Sequence, residues 1–136
     1  MGKDVIIALD FDSKEKTLAF LDLFTEENAE QKVTSVRGVV IDGEPVVSRI
    51  NNFDHLYATL SGHTLVLRYS DRPGVIATIG QIISQAGINI ENMVAPRDHA
   101  SGDSLAVIKT DKPIDPERLD LISKAIGAKQ AFALSL

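Results

Sequence analysis

Residues 65–94 constrain the fold of this chain more than any other stretch of its sequence. An apolar run there stops at an Asp-Arg-Pro-Gly turn, residues 71–74, and apolar residues then recur at three- and four-residue spacing. That spacing is typical of one buried face of a helix, which we predict over 74–86. Gly87 then ends the helix, and an extended segment follows. The stretch therefore predicts a strand, a tight turn, a helix and a second strand.

The Asp-Arg-Pro-Gly turn places groups of opposite charge side by side. Gly74 lets the backbone approach a guest closely, and the first turn of the helix behind it offers unpaired N–H groups to an anion. Asp71 is a fixed negative charge beside that positive helix end. A small zwitterion would find both of its charges matched, so the turn is a candidate site for an amino acid.

The carboxy-terminal part of the chain repeats the alternation of strand and helix patterns. Its second helix follows Asp115, has Pro116 in its first turn and ends at Gly127. The predicted elements are strand 64–69, helix 74–86, strand 88–95, strand 104–110, helix 116–126 and strand 131–136. This βαββαβ order is the ferredoxin-like arrangement of an α+β fold, which here predicts a four-stranded antiparallel sheet with two helices on one face. The polar residues 97–103 are typical of a surface loop.

A β-rich region precedes this part of the chain. Runs of apolar and β-branched residues at 33–41 and 45–50 flank Asp42-Gly43, which is a strong signal for a hairpin. A third strand is predicted at 53–59. We expect these strands to make a second small sheet.

The first residues form a further block. Residues 5–11 are a short apolar run, Asp12 followed by Glu15 is typical of a helix cap, and a helical stripe continues to about Phe24. We therefore divide the chain into an N-terminal βα segment (1–32), a β-rich segment (33–62) and a ferredoxin-like domain (63–136).

Composition narrows the class of protein. The chain has 136 residues, of which 44% are hydrophobic and 24% charged, as expected for a globular protein with one ordinary core or with two small lobes that share one. A net charge of -5 without a basic stripe argues against a nucleic-acid partner. The N-terminal apolar run is too short for a signal peptide or a membrane span, and the lack of Cys fits a reducing compartment. We therefore predict a cytoplasmic protein with no membrane partner.

Patterns for catalysis and metal binding are missing from the sequence. His55, His63 and His99 lie far apart, and no GxGxxG turn is present. We therefore predict no cofactor, no metal and no catalytic residue, and we expect a binding module instead of an enzyme.

Two groups of residues carry a family resemblance. Residues 69–75, YSDRPGV, followed by GINI at 87–90, resemble the opening of an ACT domain, a small regulatory module of amino-acid metabolism. Together with residues 36–53 and Gly62-His63, they resemble the carboxy-terminal region of the long form of D-3-phosphoglycerate dehydrogenase. The resemblance covers roughly 33–136. It implies L-serine as the ligand, since serine is the pathway product that inhibits these dehydrogenases.

The resemblance also implies self-association. ACT domains of this type commonly join side by side, which would give a homodimer or higher oligomer with an eight-stranded sheet and with the ligand where two copies meet. Physical reasoning points the same way, because a lone four-stranded sheet leaves edge strands open. We predict that strand 64–69 or strand 88–95 pairs with its copy.

A second, shorter resemblance lies at the N-terminus. Residues 4–11, DVIIALDF, are similar to the first βα unit of orotidine 5′-phosphate decarboxylase. The barrel of that enzyme needs about 200 residues or more, so this chain cannot build it. The block is then either a βα element that packs on the hairpin or a fusion or recombination scar.

The candidate ligand site comprises five residues. We predict that Asp71 pairs with the ligand's ammonium, that the N–H groups of Gly74 and Val75 hold its carboxylate, and that Asn89 hydrogen-bonds its polar groups from the neighbouring strand end. The resemblance to the family's turn implies that Tyr69 closes one side. Each has a simpler interpretation: Asp71 as a turn residue, Asn89 as an exposed strand residue and Tyr69 as part of the core.

Three further interpretations stay open at this stage. Arg49 and Lys109 are weaker candidates for a second anion site, because phosphate-bearing effectors have been associated with the preceding domain in the resembling family. Arg72 is most simply a solvated charge or the partner of a carboxylate. The alternatives to a serine-binding regulatory module are an oligomerisation module without a ligand and a fragment of an enzyme that acts on a phosphorylated substrate.

Overall fold

The structure, a computed structural model, describes residues 6–8, 35–59 and 61–135. The chain divides into two compact units, Met1–Leu60 and Ser61–Leu136. The helix predicted to begin at Asp12 and the linker after it lie outside the described residues. No helix among the described residues is long and apolar enough to cross a membrane.

The first unit contains a four-stranded sheet in the order β1-β2-β3-β4. Its strands are β1 (Ile6–Ala8), β2 (Ser35–Ile41), β3 (Glu44–Ile50) and β4 (Ala58–Thr59). β1 pairs parallel with β2, and the other neighbours pair antiparallel. The second small sheet expected from the sequence is therefore present.

The turn between β2 and β3 forms as its residue types predict. Asp42 and Gly43 have φ angles of 51° and 81°, both in the left-handed region. Two such residues in succession are the mark of a type I′ turn, whose twist matches that of the flanking strands. The predicted hairpin is confirmed.

The predicted third strand is wrong over most of its length. Only Ala58–Thr59 pairs with β3, and Phe53 makes a single bridge to Ile50. His55 and Tyr57 have φ angles of 60° and 46°. A residue in that region cannot continue an extended ladder, so the chain turns where its β-like composition suggested a strand.

The second unit has the predicted βαββαβ order. Its elements are β5 (His63–Ser70), α1 (Val75–Gln85), β6 (Ile90–Val94), β7 (Arg97–Asp98), β8 (Asp103–Thr110), α2 (Pro116–Ile126) and β9 (Gln130–Ser135). The short strand β7 pairs with β8 inside the segment that the sequence suggested was entirely loop.

The order of strands in this sheet is β6-β8-β5-β9, and all neighbours are antiparallel. β5 is hydrogen-bonded to β8 on one side and to β9 on the other, so the prediction that strand 64–69 is an edge is wrong. In this topology the first strand becomes central because the later strands add to both of its sides. β6 and β9 lie at the two edges of this strand order. β6 lies within the predicted strand 88–95, the other strand that was expected at an edge.

Both helices pack on one face of this sheet. Alternate residues of β5 and β8 point to that face, as the period of two in a strand requires. The buried cluster comprises Leu65, Leu67, Tyr69, Val75, Ile79, Ile83, Ala106, Ile108, Ile114, Ile122 and Ile126. Each large side chain that is fully buried there stabilises the fold by roughly 1.5–3 kcal/mol. This core positions the turn between β5 and α1.

Candidate functional site

The turn between β5 and α1 exists in its observed form because of Gly74. Gly74 precedes the first helical residue with φ 92° and ψ -16°. A Cβ at this position would meet no atom within 4 Å, so its backbone conformation, and not a lack of space, calls for Gly. The close approach of a ligand to the backbone, which we predicted at Gly74, therefore depends on this left-handed conformation.

The N-terminus of α1 carries unpaired donors. The first helical bond joins the Thr78 N–H to the Gly74 carbonyl at 3.0 Å, which leaves the three preceding N–H groups without helical acceptors. No side chain of the described residues caps this end, and its first turn contains no acidic residue. The helix end is therefore a positive, open surface of the kind that holds a carboxylate.

Asp71 is held beside this helix end by two contacts. Its N–H donates to the Gly102 carbonyl at 3.0 Å, which joins the turn to the loop before β8. Its carboxylate Oδ2 lies 3.4 Å from Nη1 of Arg97, and the Asp71 side chain is 35% exposed. The negative charge predicted for the site is thus accessible, and it already faces a cation.

Arg72 has a different role from the one its residue type suggested. Its guanidinium donates from Nη1 to the Ser70 carbonyl at 3.0 Å and from Nη2 to the Ile126 carbonyl at 2.8 Å. The side chain therefore ties the turn to the last residue of α2. Sequence reasoning missed this link because Ile126 is remote along the chain and a backbone acceptor leaves no signal in the sequence.

Tyr69 lies in the core and is 1% exposed. Burial raises the pKa of its phenol, as does the nearby charge of Asp71, while a hydrogen bond with Ser104 acts in the opposite direction. The ring therefore packs in the core next to the turn, which favours the interpretation of Tyr69 as a core residue.

Asn89 lies at the opposite end of the sheet from the turn. The end of β5, Ser70, pairs with Asp103, whereas Ile90 pairs with Thr110 at the far end of β8. β5 and β6 run parallel, because each is antiparallel to β8, and the 11-residue helix between them spans about 16 Å. The prediction that Asn89 stands beside the turn is therefore wrong within one chain.

The reason for this error is the direction of the crossover. A strand, a helix and a parallel strand bring the chain back to the end from which it started, so the start of β6 lies near the start of β5. At that end the Asn89 N–H donates to Oδ1 of Asp111 at 2.8 Å, and its carbonyl accepts from the Asp111 N–H at 3.1 Å. The Asn89 side chain is exposed.

The two residues predicted for a second anion site lie in different units. Arg49 Nε donates to the Asn51 carbonyl at 2.7 Å in the first unit. Lys109 Nζ donates to Thr64 Oγ1 at 2.7 Å and to the Ser61 carbonyl in the second unit. Burial lowers the pKa of Lys109 to about 8. Arg49 and Lys109 are thus placed separately, and the second anion site stays a prediction.

A buried ion cluster that sequence reasoning missed lies beneath the turn. Asp103 has a side chain only 2% exposed, and it pairs through Oδ2 with Arg68 Nη2 at 2.9 Å and through Oδ1 with Lys129 Nζ at 2.7 Å. Register places Asp103 opposite Ser70, the last residue of β5. The two cations neutralise the Asp103 carboxylate with one positive charge to spare, and their contacts fix this end of the sheet. Within the described residues, no three His, Asp or Glu side chains come together in a way that could hold a metal ion.

The turn, the strand order and the helix positions fit one known family. Residues 63–127 match the family model described as the ACT domain. They form an ACT domain. The match begins at β5 and ends just after α2, so it contains the turn, the open helix end and β6.

Similarity to curated proteins extends beyond the ACT domain. The chain is 23% identical over 108 residues to D-3-phosphoglycerate dehydrogenase of Methanocaldococcus jannaschii, covering 79% of this chain and 20% of that protein. It is 26% identical over 127 residues to the Archaeoglobus fulgidus enzyme of the same name, covering 92% of this chain and 24% of that protein. The chain thus spans about a fifth to a quarter of the length of these relatives. The second alignment is too long to be confined to 33–136, so it includes part of the N-terminal block.

Solved structures show a weaker likeness. A formyltetrahydrofolate deformylase from Pseudomonas syringae pv. tomato str. DC3000 is similar over 54% of this chain and 26% of that chain, with a TM-score of 0.47 and 18% identity.

Proposed function

We propose that the ACT domain of this chain is a regulatory module that binds a small amino acid, L-serine, and thereby controls serine biosynthesis. The observation that carries the proposal is the open N-terminus of α1 beside Asp71: one side of the turn attracts a carboxylate and the other an ammonium. The ACT match and the names of the relatives support the class of ligand. The lack of Cys fits the cytoplasm, our proposed location.

In this proposal two copies complete each site. Because Asn89 and Asp71 lie at opposite ends of one sheet, the partner's Asn89 has to supply the missing polar group. Antiparallel pairing of β6 with its copy about a twofold axis at Asn92 would set the partner's Asn89 opposite Ala95, next to β7 and the turn. The same pairing joins the two sheets at their β6 edges and gives the expected side-by-side dimer.

Calorimetric titration with L-serine tests the ligand. We expect binding that is lost or weakened at least tenfold in Asp71→Asn, because the ammonium loses its charged partner. Asp120→Asn is the matched control, since it removes a carboxylate from an exposed position on α2. Binding by the parent chain that is equal in both variants would place the pocket elsewhere.

Mixing two variants tests the arrangement across copies. In a dimer of one Asp71→Ala chain and one Asn89→Ala chain, one site has both residues intact if each site takes Asp71 from one copy and Asn89 from the other. Random mixing in equal amounts should therefore restore about a quarter of the parent's sites, although each variant alone binds poorly. A site built within one chain would give no restoration.

The runner-up is an oligomerisation module without a ligand. The position of β6 at the edge of the described sheet favours it, because an edge strand can pair with its copy whether or not a ligand binds. Dimers by light scattering with no heat on addition of L-serine at millimolar concentration would favour this alternative. A monomeric mass at micromolar concentration would contradict both the serine-binding dimer and the oligomerisation module.

A further inference from the structure

Arg97 is the cation that faces the proposed ammonium partner. It belongs to β7, which pairs with β8 along the same side as β6. Its Nη1 lies 3.4 Å from the Asp71 carboxylate, and its side chain is 50% exposed. The pair therefore presents a negative and a positive group to solvent at the edge where a second copy would approach.

The other described cations at this end of the sheet are committed elsewhere. Arg72 donates to two backbone carbonyls, and Arg68 and Lys129 neutralise the buried Asp103. The neighbouring Asp98 carboxylate accepts from the Ala100 N–H and the Ser101 hydroxyl, so it builds the loop. Among these cations, Arg97 is the one whose partner is Asp71, the residue proposed to bind the ligand's ammonium.

We propose that Arg97 binds the carboxylate of the ligand while Asp71 binds its ammonium, so that the pair selects for molecules that carry both groups on adjacent atoms. The inference rests on the proposed function and names the residue that sets its ligand class. A zwitterion placed antiparallel to the Arg97–Asp71 pair puts each of its charges against an opposite one. The pair need not separate, and the N–H groups of α1 remain available for the second carboxylate oxygen.

The geometry of Arg suits this role better than that of Lys. A guanidinium presents a planar fork of donors, so Arg97 can hold Asp71 with one N–H and a ligand oxygen with another. A Lys at this position would present one compact charge to both.

Titration of three small molecules tests the inference. L-serine carries both charges, ethanolamine lacks the carboxylate, and glycerate lacks the ammonium. The parent chain should bind L-serine most tightly. Arg97→Gln should weaken L-serine about tenfold, the size of one charge-assisted contact, and leave ethanolamine unchanged or slightly stronger. Arg97→Lys should recover part of the loss.

Arg118→Gln serves as the charge-matched control, because it removes one positive charge from the far end of α2. Thermal unfolding of each variant shows whether the fold is intact. If Arg97→Gln binds L-serine as the parent does, the inference fails and the proposed function stands. An equal loss for L-serine and ethanolamine would also overturn it, since Arg97 would then merely orient Asp71. A parent chain that binds none of the three molecules overturns both.

Discussion

The two helices of the ACT domain have the same length, but only one of them has a side-chain cap at its N-terminus. α1 and α2 each contain 11 residues and pack on the same face. α2 begins with Asp115, whose carboxylate accepts from the Arg118 N–H at 2.7 Å, and continues with Pro116 and Glu117. α1 begins at Gly74 with neither a side-chain cap nor an acidic residue.

The C-termini of the two helices are treated alike. Gly127 ends α2 in the left-handed conformation with φ 63°, and Arg72 donates to its last carbonyl. Gly87 follows α1 with φ 69°, and Lys112 Nζ donates to the Gly87 carbonyl at 2.9 Å. Of the four ends of these two helices, the N-terminus of α1 is therefore the open one.

This difference separates stability from binding. A side-chain cap typically stabilises a helix by about 1 kcal/mol, and α1 does without it. The same absence leaves N–H donors for a ligand, at the turn where Asp71 supplies the opposite charge. In our proposal the uncapped N-terminus of α1 binds the ligand, whereas the capped N-terminus of α2 stabilises the fold.

The largest expected effect concerns the buried core that both helices contribute to. Ile79 in α1 and Ile122 in α2 are both 0% exposed. Replacement of either by Ala should lower the free energy of unfolding by about 2–5 kcal/mol through lost burial and the cavity left behind. Chemical denaturation measures both. Ile76→Ala on the exposed side of α1 should cost clearly less, and a large loss there would contradict the assigned helix face.

The next effect tests the difference between the N-termini directly. Asp71→Ala should weaken serine binding by about 1–3 kcal/mol with little change in stability, because it removes a partner of the ligand. Asp115→Ala should lower stability by about 0.5–2 kcal/mol and leave serine affinity unchanged, because it removes a cap. Calorimetry and denaturation on both variants give the four numbers. The same pattern in both variants would remove the distinction between the open and the closed end.

A smaller effect tests the link between the two crossovers. Arg72→Gln loses the bonds to the Ser70 and Ile126 carbonyls, which should cost about 0.5–1.5 kcal/mol of stability. Arg72→Lys should fall between the parent and the Gln variant, because one ammonium can serve only part of this pair. Thermal unfolding at high and low salt measures the loss. Stability equal to that of the parent would mean that the turn is held without Arg72.

The smallest effect is a pH dependence in the second unit. Burial lowers the pKa of Lys109 from 10.5 to about 8, so between those values the unfolded chain binds more protons than the folded chain. The free energy of unfolding should therefore rise with pH across this window. Lys109 is only partly buried, so we expect about 1 kcal/mol or less after solvent screening. The difference between the parent and Lys109→Met, measured from neutral pH upward, isolates this group; a falling difference would contradict the assignment.

Several features could be predicted from local patterns. The hairpin at Asp42-Gly43, the two helices and the caps at Asp115 and Gly127 follow from residue types that favour one backbone conformation. The strand predicted at 53–59 was wrong because His55 and Tyr57 adopt left-handed backbone conformations, which their residue types do not predict. The Asp71 turn was predicted because its residues are adjacent in the chain.

Other parts of the site depend on residues that are distant in the chain. The position of Asn89 was predicted wrongly because adjacency of turn and strand in sequence says nothing about the direction in which α1 carries the chain. The partners of Asp71 and Arg72, namely Arg97 and Ile126, become neighbours only when β7 and α2 dock at the same end of the sheet.

By itself, the sequence determined the order of elements in residues 63–136, the left-handed turn at Gly74 and the apolar faces that form the core. These follow from interactions between residues a few positions apart, whose conformational preferences act before any tertiary contact forms. Only the tertiary structure decided that β5 is central, that Asn89 lies a helix length from Asp71, and that Arg97 faces Asp71. Those outcomes depend on strand order and register. Both are set by how the apolar surface of the whole sheet is buried, which involves residues far apart in the chain.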